Sequence, residues 1–421
     1  PENPPPGPFR AGFWRSPLRS TWLTSILGSM LLGLVVVVAL TGLISHAQYQ
    51  PGLGNNAIVP RSGDIGPLIS LPASSPAWLY ALTQGLHITI GLIAIPLLLA
   101  KLWSVIPRLF AWPPVISAVQ VLERLSILLL VGSALFEFAT GVLNIQLFYP
   151  WHFGFVRAHY YGAWIFIAAL VLHVAVKLPT VRGAYRTYGV LRPLRENLAD
   201  TRPHAGANDD LVAASPTAAT ISRRGLLGLV GGASLTLLAV NLGESVGGPL
   251  RRLALLAPRG RVFGTGPNDF QVNKTAQAVG VTARASDPNW RLEVTGAQRT
   301  VKLSRDQLMA MPQHTYELPI ACVEGWSTTQ RWTGVRLAEL GRLVGASPQD
   351  VLMVESLQPS GPYRATSYGS GHVADERSLV ALRVNGVNLS LDHGYPARII
   401  VPALPGVHNT KWLATMRFTT A

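Results

Sequence analysis

Hydrophobic residues in the first part of the chain fall in long unbroken runs, not in the one-sided stripes of a surface helix. Five runs stand out: Trp22–Ser45, Trp78–Leu102, Val121–Leu143, Tyr160–Val176 and Gly225–Leu242. A helix needs roughly 17 to 25 such residues to cross the hydrocarbon of a bilayer, so each run predicts a membrane-spanning helix. Beyond residue 245 no comparable run occurs. From about 258 the pattern shortens to alternations between turn residues, and Arg291–Gly296, Val351–Glu355 and Arg398–Val401 predict strands. Residues 304–310 and 335–344 predict short helices. There is no βαβ repeat and no glycine-rich dinucleotide fingerprint. The expected fold class is a membrane α-helical bundle of five transmembrane helices, followed by a C-terminal α+β domain.

Composition agrees, with 48% hydrophobic and only 13% charged residues. The net charge of +14 raises the question of nucleic acid, but its distribution excludes that partner. Arg10, Arg15 and Arg19 precede the first run, Lys101 and Arg108 follow the second, and a dense series from Lys177 to Arg224 follows the fourth. The alternate loops hold only Arg61 and Arg157. This asymmetry predicts a cytoplasmic N-terminus and an extracytoplasmic C-terminal domain in a bacterial plasma membrane. The basic stretch also suits contact with the anionic lipid of the bilayer.

The segments then divide as follows. Residues 1–20 are Pro-rich and predicted to be a disordered cytoplasmic tail. Residues 21–180 form a four-helix membrane domain with an external loop at 46–77, and 181–221 a cytoplasmic linker. The fifth helix, 222–244, opens on Ser222-Arg223-Arg224-Gly225-Leu226-Leu227, which resembles a twin-arginine export signal. Read from the residues alone, it is equally an ordinary basic pair flanking a helix. The C-terminal domain covers 258–421.

Three histidines belong to these runs: His87 lies in the second, His159 stands at the start of the fourth, and His173 lies within it. Ionisable groups at membrane depth are costly and mark functional sites. Fourteen residues of helix is nearly four turns, about 21 Å, so His159 and His173 share a face at two depths. The arrangement resembles the four-helix b-type cytochromes of the cytochrome b561 and formate dehydrogenase gamma type. That resemblance implies haem b, with His87 and His159 on one haem and His173 toward a second, and exchange with the quinone pool. The first helix lacks the inner histidine of that pattern; its nearest candidate, His46, follows it. His152 is a candidate for a quinone site and Glu137 for a proton relay.

Cys322 is the only cysteine, which excludes an internal disulfide and any paired-cysteine zinc site. A soft thiolate suits molybdenum, and a small buried residue is the plain alternative. Its surroundings, CVEGWS followed by Arg331–Leu337 (RWTGVRL), resemble the molybdenum-ligand segment of the sulfite oxidase fold family, nearest its periplasmic methionine sulfoxide reductase branch. Asp392–Arg398 (DHGYPAR) with Asn409–Trp412 (NTKW) resembles that family's second cofactor segment. Gly266–Asn273 (GPNDFQVN) resembles its pterin-contact loop, and Asn289–Gly296 its opening strand.

The resemblance implies Cys322 as catalytic molybdenum ligand. It implies Asn268, Gln271, Val272, Ser356, His393, Arg398, Asn409, Thr410 and Lys411 as molybdopterin contacts, with Arg331, Trp332 and His372 as pocket candidates. The loop has no basic residue before Lys274, which favours a neutral small-molecule or protein-bound oxo substrate such as a sulfoxide over sulfite. A sulfite-type oxidase and a non-catalytic docking subunit are the rival expectations.

Overall fold

A computed structural model describes residues 3–49, 74–114, 117–203, 211–361 and 363–420. Most of the loop expected at 46–77, including Arg61, and residues 204–210 of the linker lie outside the described residues. Five long helices come first: α1 (Thr21–Gln48), α2 (Leu79–Leu109), α3 (Ala118–Ile145), α4 (Phe155–Tyr188) and α5 (Arg223–Val246). All five are long and apolar enough to cross a membrane. The chain forms two compact units. The first takes residues 1–39, 89–142 and 159–239; the second takes one end of each long helix, 40–88, 143–158 and 240–421.

In the first unit Trp22, Leu23 and Leu27 are fully buried, with Tyr185, Tyr188 and Leu194 packed on them. The Trp22 indole donates to the carbonyls of Gly189, at 2.9 Å, and Val190, at 3.2 Å. This packing carries α4 through to Tyr188, so 181–188 is helix where the sequence predicts linker. Arg223 is fully buried, paired with Glu196 and donating to the Arg202 carbonyl, whereas Arg224 is exposed. One member of the arginine pair therefore ties the linker to α5. The Pro-rich start also packs: the Phe9 ring meets Phe110 at 5.4 Å and Trp112 at 5.9 Å, and the Trp14 indole donates to Pro8 at 2.8 Å. Aromatic side chains give these residues the apolar surface that their proline content conceals.

The second unit is built on ten strands: β1 (Arg291–Thr295), β2 (Thr300–Ser304), β3 (His314–Ala321), β4 (Ser327–Arg336), β5 (Val351–Ser356), β6 (Ala365–Tyr368), β7 (Leu379–Val384), β8 (Val387–Asn388), β9 (Arg398–Ile400) and β10 (Leu413–Thr419). Short helices α6 (Thr282–Ala285), α7 (Arg305–Ala310), α8 (Leu337–Leu343) and α9 (Ser370–Ala374) connect them. One sheet has the order β2-β1-β10-β5-β6; the other runs β3-β4-β7-β8, with β9 also on β7. All pairs are antiparallel except β1 with β10. Helix α7 starts where Ser304 and Gln307 form a reciprocal capping box. Val335 and Arg336 end β4 rather than begin a helix, because they pair with Val380 and Leu379.

Of this unit's three apolar clusters, one is small and lies around Trp412, and the other two flank the second sheet. The larger joins Leu292, Val294, Leu352, Val354 and Met416 of the first sheet to Val335, Val380, Leu382 and Ile399 of the second. The smaller lies on the other face of the second sheet, with Leu318, Ile320, Trp332, Leu379 and Ala381. Strand β7 feeds both, which explains its nearly unbroken apolar sequence. At Gly334 the strands approach so closely that a Cβ would lie 2.0 Å from the Val380 carbonyl oxygen, whereas a Cβ at Gly369 meets nothing within 4 Å. Gly334→Ala is expected to destabilise the sheet unit by about 1–3 kcal/mol, and Gly369→Ala to change it far less. Denaturant unfolding of the detergent-solubilised chain, followed by tryptophan fluorescence, checks this; equal midpoints would contradict it.

Candidate cofactor site

Leu318, Ile320 and Cys322 alternate along β3 and its end, so period-two geometry turns the thiol onto the face that packs the smaller cluster. The chain then reverses in a tight hairpin. Gly325 N donates to the Cys322 carbonyl, and Cys322 N to the Trp326 carbonyl, both at 3.0 Å. Gly325 has φ +99°, the left-handed conformation such a three-residue loop requires. This is why glycine stands three residues after the cysteine.

Cys322 is 2% exposed. Burial pushes its pKa up to about 12, and the charge of Glu324 adds to the effect, while hydrogen bonds and Arg259 oppose it. The Asn273 amide donates to Sγ at 3.2 Å. Arg259 meets both oxygens of Glu324 at 3.1 Å and donates to the Asn273 carbonyl at 2.7 Å, locking these groups together. A thiol so placed ionises only when a cation takes the proton's place, as a thiophilic metal does.

The second feature is a pair of neighbouring cations, buried Arg398 and half-buried Lys411. Arg398, 4% exposed, donates to the carbonyls of His393, at 3.0 Å, and Asn409, at 3.2 Å, and its Nε is buried without a partner. Lys411 donates to the carbonyls of Lys274, at 2.8 Å, and Asp392, at 2.7 Å. Among the described residues neither cation forms an ion pair with a carboxylate. Burial lowers Arg398 to about 9; burial and then the Arg398 charge lower Lys411 to about 7. Gly394, with φ +107°, lets the two approach: a Cβ there would lie 3.1 Å from the Cβ atoms of both. A buried guanidinium with no ion pair, beside a half-buried ammonium that feels only the Asp392 charge, suits an anion. A phosphate-bearing cofactor fits this donor set, and a soft metal fits the thiol.

The loop at 266–273 closes on the same region. Asn268 is a clamp: its amide donates to the Asn388 carbonyl at 3.0 Å, its Oδ1 accepts from Ser390 N at 3.0 Å, and its carbonyl accepts from His393 Nε2 at 2.8 Å. The Phe270 ring stacks on His393 at 3.7 Å. Burial, and then Arg398, hold His393 down to about 3, so it is a neutral imidazole. Gln271 accepts from Arg251 and lies 3.4 Å from Asn273 Oδ1. Val272 sits between Gln271 and Asn273, partly buried.

Other expected contacts brace the backbone. The Ser356 hydroxyl donates to the carbonyls of Lys411, at 2.7 Å, and Trp412, at 3.3 Å. Asn409 Oδ1 accepts from Val401 N at 2.8 Å, and Thr410 Oγ1 donates to Thr366 at 3.2 Å. Trp332 is wholly buried, 5.0 Å beneath the Arg398 guanidinium; Arg331 is exposed and His372 buried in α9. The sequence reading missed Asn273, Arg259 and Phe270. Asn273 and Phe270 stood in the quoted loop; nothing local marked Arg259.

The histidines of the long helices fall in different units. In the first, His159 Nδ1 lies 3.1 Å from Glu137 Oε2 and 3.1 Å from Thr140 Oγ1. A carboxylate on one ring nitrogen is how proteins orient a metal-ligating histidine. His173 is half-buried, further along α4. In the second, the His87 ring fits against Gly42, where a Cβ would come within 2.8 Å of it.

The charge state of Lys411 generates a pH test. Unfolded, this lysine holds its proton to about 10.5; in the cofactor-free fold it gives it up near 7. Between those values the unfolded chain binds more protons, so stability rises with pH. The cofactor-free chain is expected to gain stability from pH 7 to 10, and Lys411→Met to lose most of that gain. Thermal unfolding across this range checks it, and parallel profiles would contradict it.

Residues 278–421 match the family model described as the oxidoreductase molybdopterin-binding domain. The mitochondrial sulfite oxidase of Drosophila melanogaster is 31% identical over 151 residues, 30% of this chain and 26% of that protein. The uncharacterized oxidoreductase YuiH of Bacillus subtilis (strain 168) is 29% identical over 132 residues, 31% of this chain and 65% of that one. The NADH nitrate reductase of Ulva prolifera is 27% identical over 166 residues, 32% of this chain and 19% of that protein. The chain thus spans about a quarter of the sulfite oxidase it matches. The residues matched by the family model include Cys322, Arg398 and Lys411, and over them this chain is similar to oxidoreductase molybdopterin-binding domains.

Proposed function

We propose that the chain is a membrane-bound oxidoreductase that exchanges oxygen between a small-molecule or protein-bound oxo substrate and a molybdopterin centre held by Cys322. The observation that carries this is one buried thiol in the same unit as buried Arg398 and half-buried Lys411, neither ion-paired with a carboxylate among the described residues, within residues that match the molybdopterin-binding family model. When bound, the centre supplies a metal that changes oxidation state by two electrons as an oxygen atom is exchanged. The protein's own part is placement. Cys322 would give up its proton to ligate the metal, Arg398 and Lys411 would hold the cofactor's anionic end, and neutral His393, its Nε2 bonded to the Asn268 carbonyl, would line the pterin edge. Asn273 donates to the thiolate sulfur and fixes its direction.

Reduction of a neutral sulfoxide is the direction this reading takes. Arg259, the cation whose charge reaches Cys322, is occupied by both oxygens of Glu324, leaving it poorly suited to hold an oxyanion. Oxidation of sulfite is the second reading, favoured by the likeness to sulfite oxidases. Electrons would come from the quinone pool through haem b, with His159 and His173 of the first unit as candidate ligands; the Glu137 carboxylate on His159 supports ligation there. The N-terminus would lie in the cytoplasm and the molybdopterin domain on the extracytoplasmic side of a bacterial plasma membrane, in keeping with the distribution of basic residues.

Metal analysis and an absorption spectrum of the purified chain, with turnover on a sulfoxide and on sulfite, test the reading. The expected result is molybdenum and a b-type haem spectrum, sulfoxide-dependent turnover, and loss of turnover in Cys322→Ser. Turnover on sulfite alone would reverse the direction, and a Cys322→Ser variant as active as the parent would remove the thiolate from the mechanism.

A further inference from the structure

The turn that presents Cys322 has backbone groups that its own hairpin cannot satisfy. Its internal bonds use the Cys322 carbonyl and the amides of Cys322 and Gly325. The carbonyls of Val323 and Gly325 point away from the ladder and need partners from elsewhere. In the second unit those partners come from the ends of the long helices. Gln84 of α2 donates to the Val323 carbonyl at 2.9 Å, and Asn144 of α3 reaches the same oxygen at 3.4 Å. Ser245 of α5 donates to the Gly325 carbonyl at 2.8 Å, while its own carbonyl accepts from the Ser327 hydroxyl at 2.6 Å.

The spacing along α2 extends this register. Gln84 and Ile88 are one turn apart on one face. Ile88 lies so near the turn that a Cβ at Gly325 would come within 2.7 Å of it. Gln84 thus meets the residue after the cysteine, and Ile88 the glycine two further on. Gly85 lets α5 in, since a Cβ there would sit 3.2 Å from Ser245 Cβ. Gln84 and Asn144 are themselves buried, and Asn144 is held by the Tyr149 hydroxyl at 3.0 Å. Polar side chains in helices of this composition are costly unless they bond something specific. Here what they bond is the backbone next to the thiol.

We propose that Gln84, Asn144 and Ser245 are positioning residues for the cofactor: they fix the Cys322 turn, and through it the angle at which the thiolate meets the metal. The ligand is then set by the helices as well as by the domain that carries it. This rests on the reading of Cys322 as the molybdenum ligand.

The test uses the full chain, purified with its cofactor. Gln84→Leu/Asn144→Leu removes both donors to Val323, Ser245→Ala removes the donor to Gly325, and Ser245→Thr keeps a hydroxyl. The readouts are molybdenum content and the electron paramagnetic resonance spectrum of the half-reduced metal. The double variant and Ser245→Ala are expected to retain the metal but show shifted g-values and about tenfold slower turnover, with Ser245→Thr restoring the parent spectrum. Should the double variant fail to accumulate, the Ser245 pair carries the test. Metal-loaded variants with the parent spectrum would overturn the positioning role while leaving the ligand in place. A parent chain without molybdenum, or an unchanged spectrum in Cys322→Ser, would overturn the ligand reading and this inference with it.

Discussion

The constraint on which the rest depends is the three-residue hairpin between β3 and β4. It has to bury a thiol on the apolar face of a sheet while turning the chain by half a circle. Gly325 makes the turn possible by its left-handed conformation, and Leu318, Ile320 and Trp326 provide the apolar side. The polar side is supplied from a distance. Arg259 takes the Glu324 carboxylate, Asn273 takes the sulfur, and side chains at three helix ends take the outward carbonyls. A thiol with its pKa driven up to about 12 by burial is inert by itself. The same burial keeps water from a metal that replaces its proton.

Arg398 and Lys411 impose a complementary condition. Held together across Gly394 and hydrogen-bonded to backbone carbonyls, buried Arg398 and half-buried Lys411 concentrate positive charge that the neighbouring Asp392 offsets only for Lys411. Such a site is unfavourable until an anion enters, so the protein's stability and its cofactor are linked. His393, kept neutral beside them and stacked on Phe270, adds hydrogen-bonding capacity without adding charge. Soft ligand, anion cradle and neutral edge together describe one molecule with a metal at one end and a phosphate at the other.

Much of this was legible in the sequence, and the remainder has identifiable causes. Unbroken apolar runs announce all five long helices, because a helix that is apolar all round has few other places to be. Their ends were misjudged where tertiary packing extends them, as Trp22 does for α4. Cys322, Arg398 and Lys411 could be singled out in the sequence because short motifs mark them locally. Ser356, an expected cofactor contact, also holds the backbone of Lys411 and Trp412, a bracing role only geometry reveals. Asn273 and Arg259 act on the turn from 49 and 65 residues away. Gln84, Asn144 and Ser245 were invisible for the same reason: along the chain they are polar interruptions of apolar helices, and only the fold gives them an acceptor.

The central claim is that the Cys322 thiolate is bound to molybdenum. X-ray absorption at the molybdenum edge of the purified chain, beside the Cys322→Ala variant, tests it most directly. The account predicts one sulfur neighbour fewer at the metal in the variant, with the cofactor's own sulfurs unchanged. Identical sulfur shells in the two proteins, or no molybdenum in the parent, would contradict it.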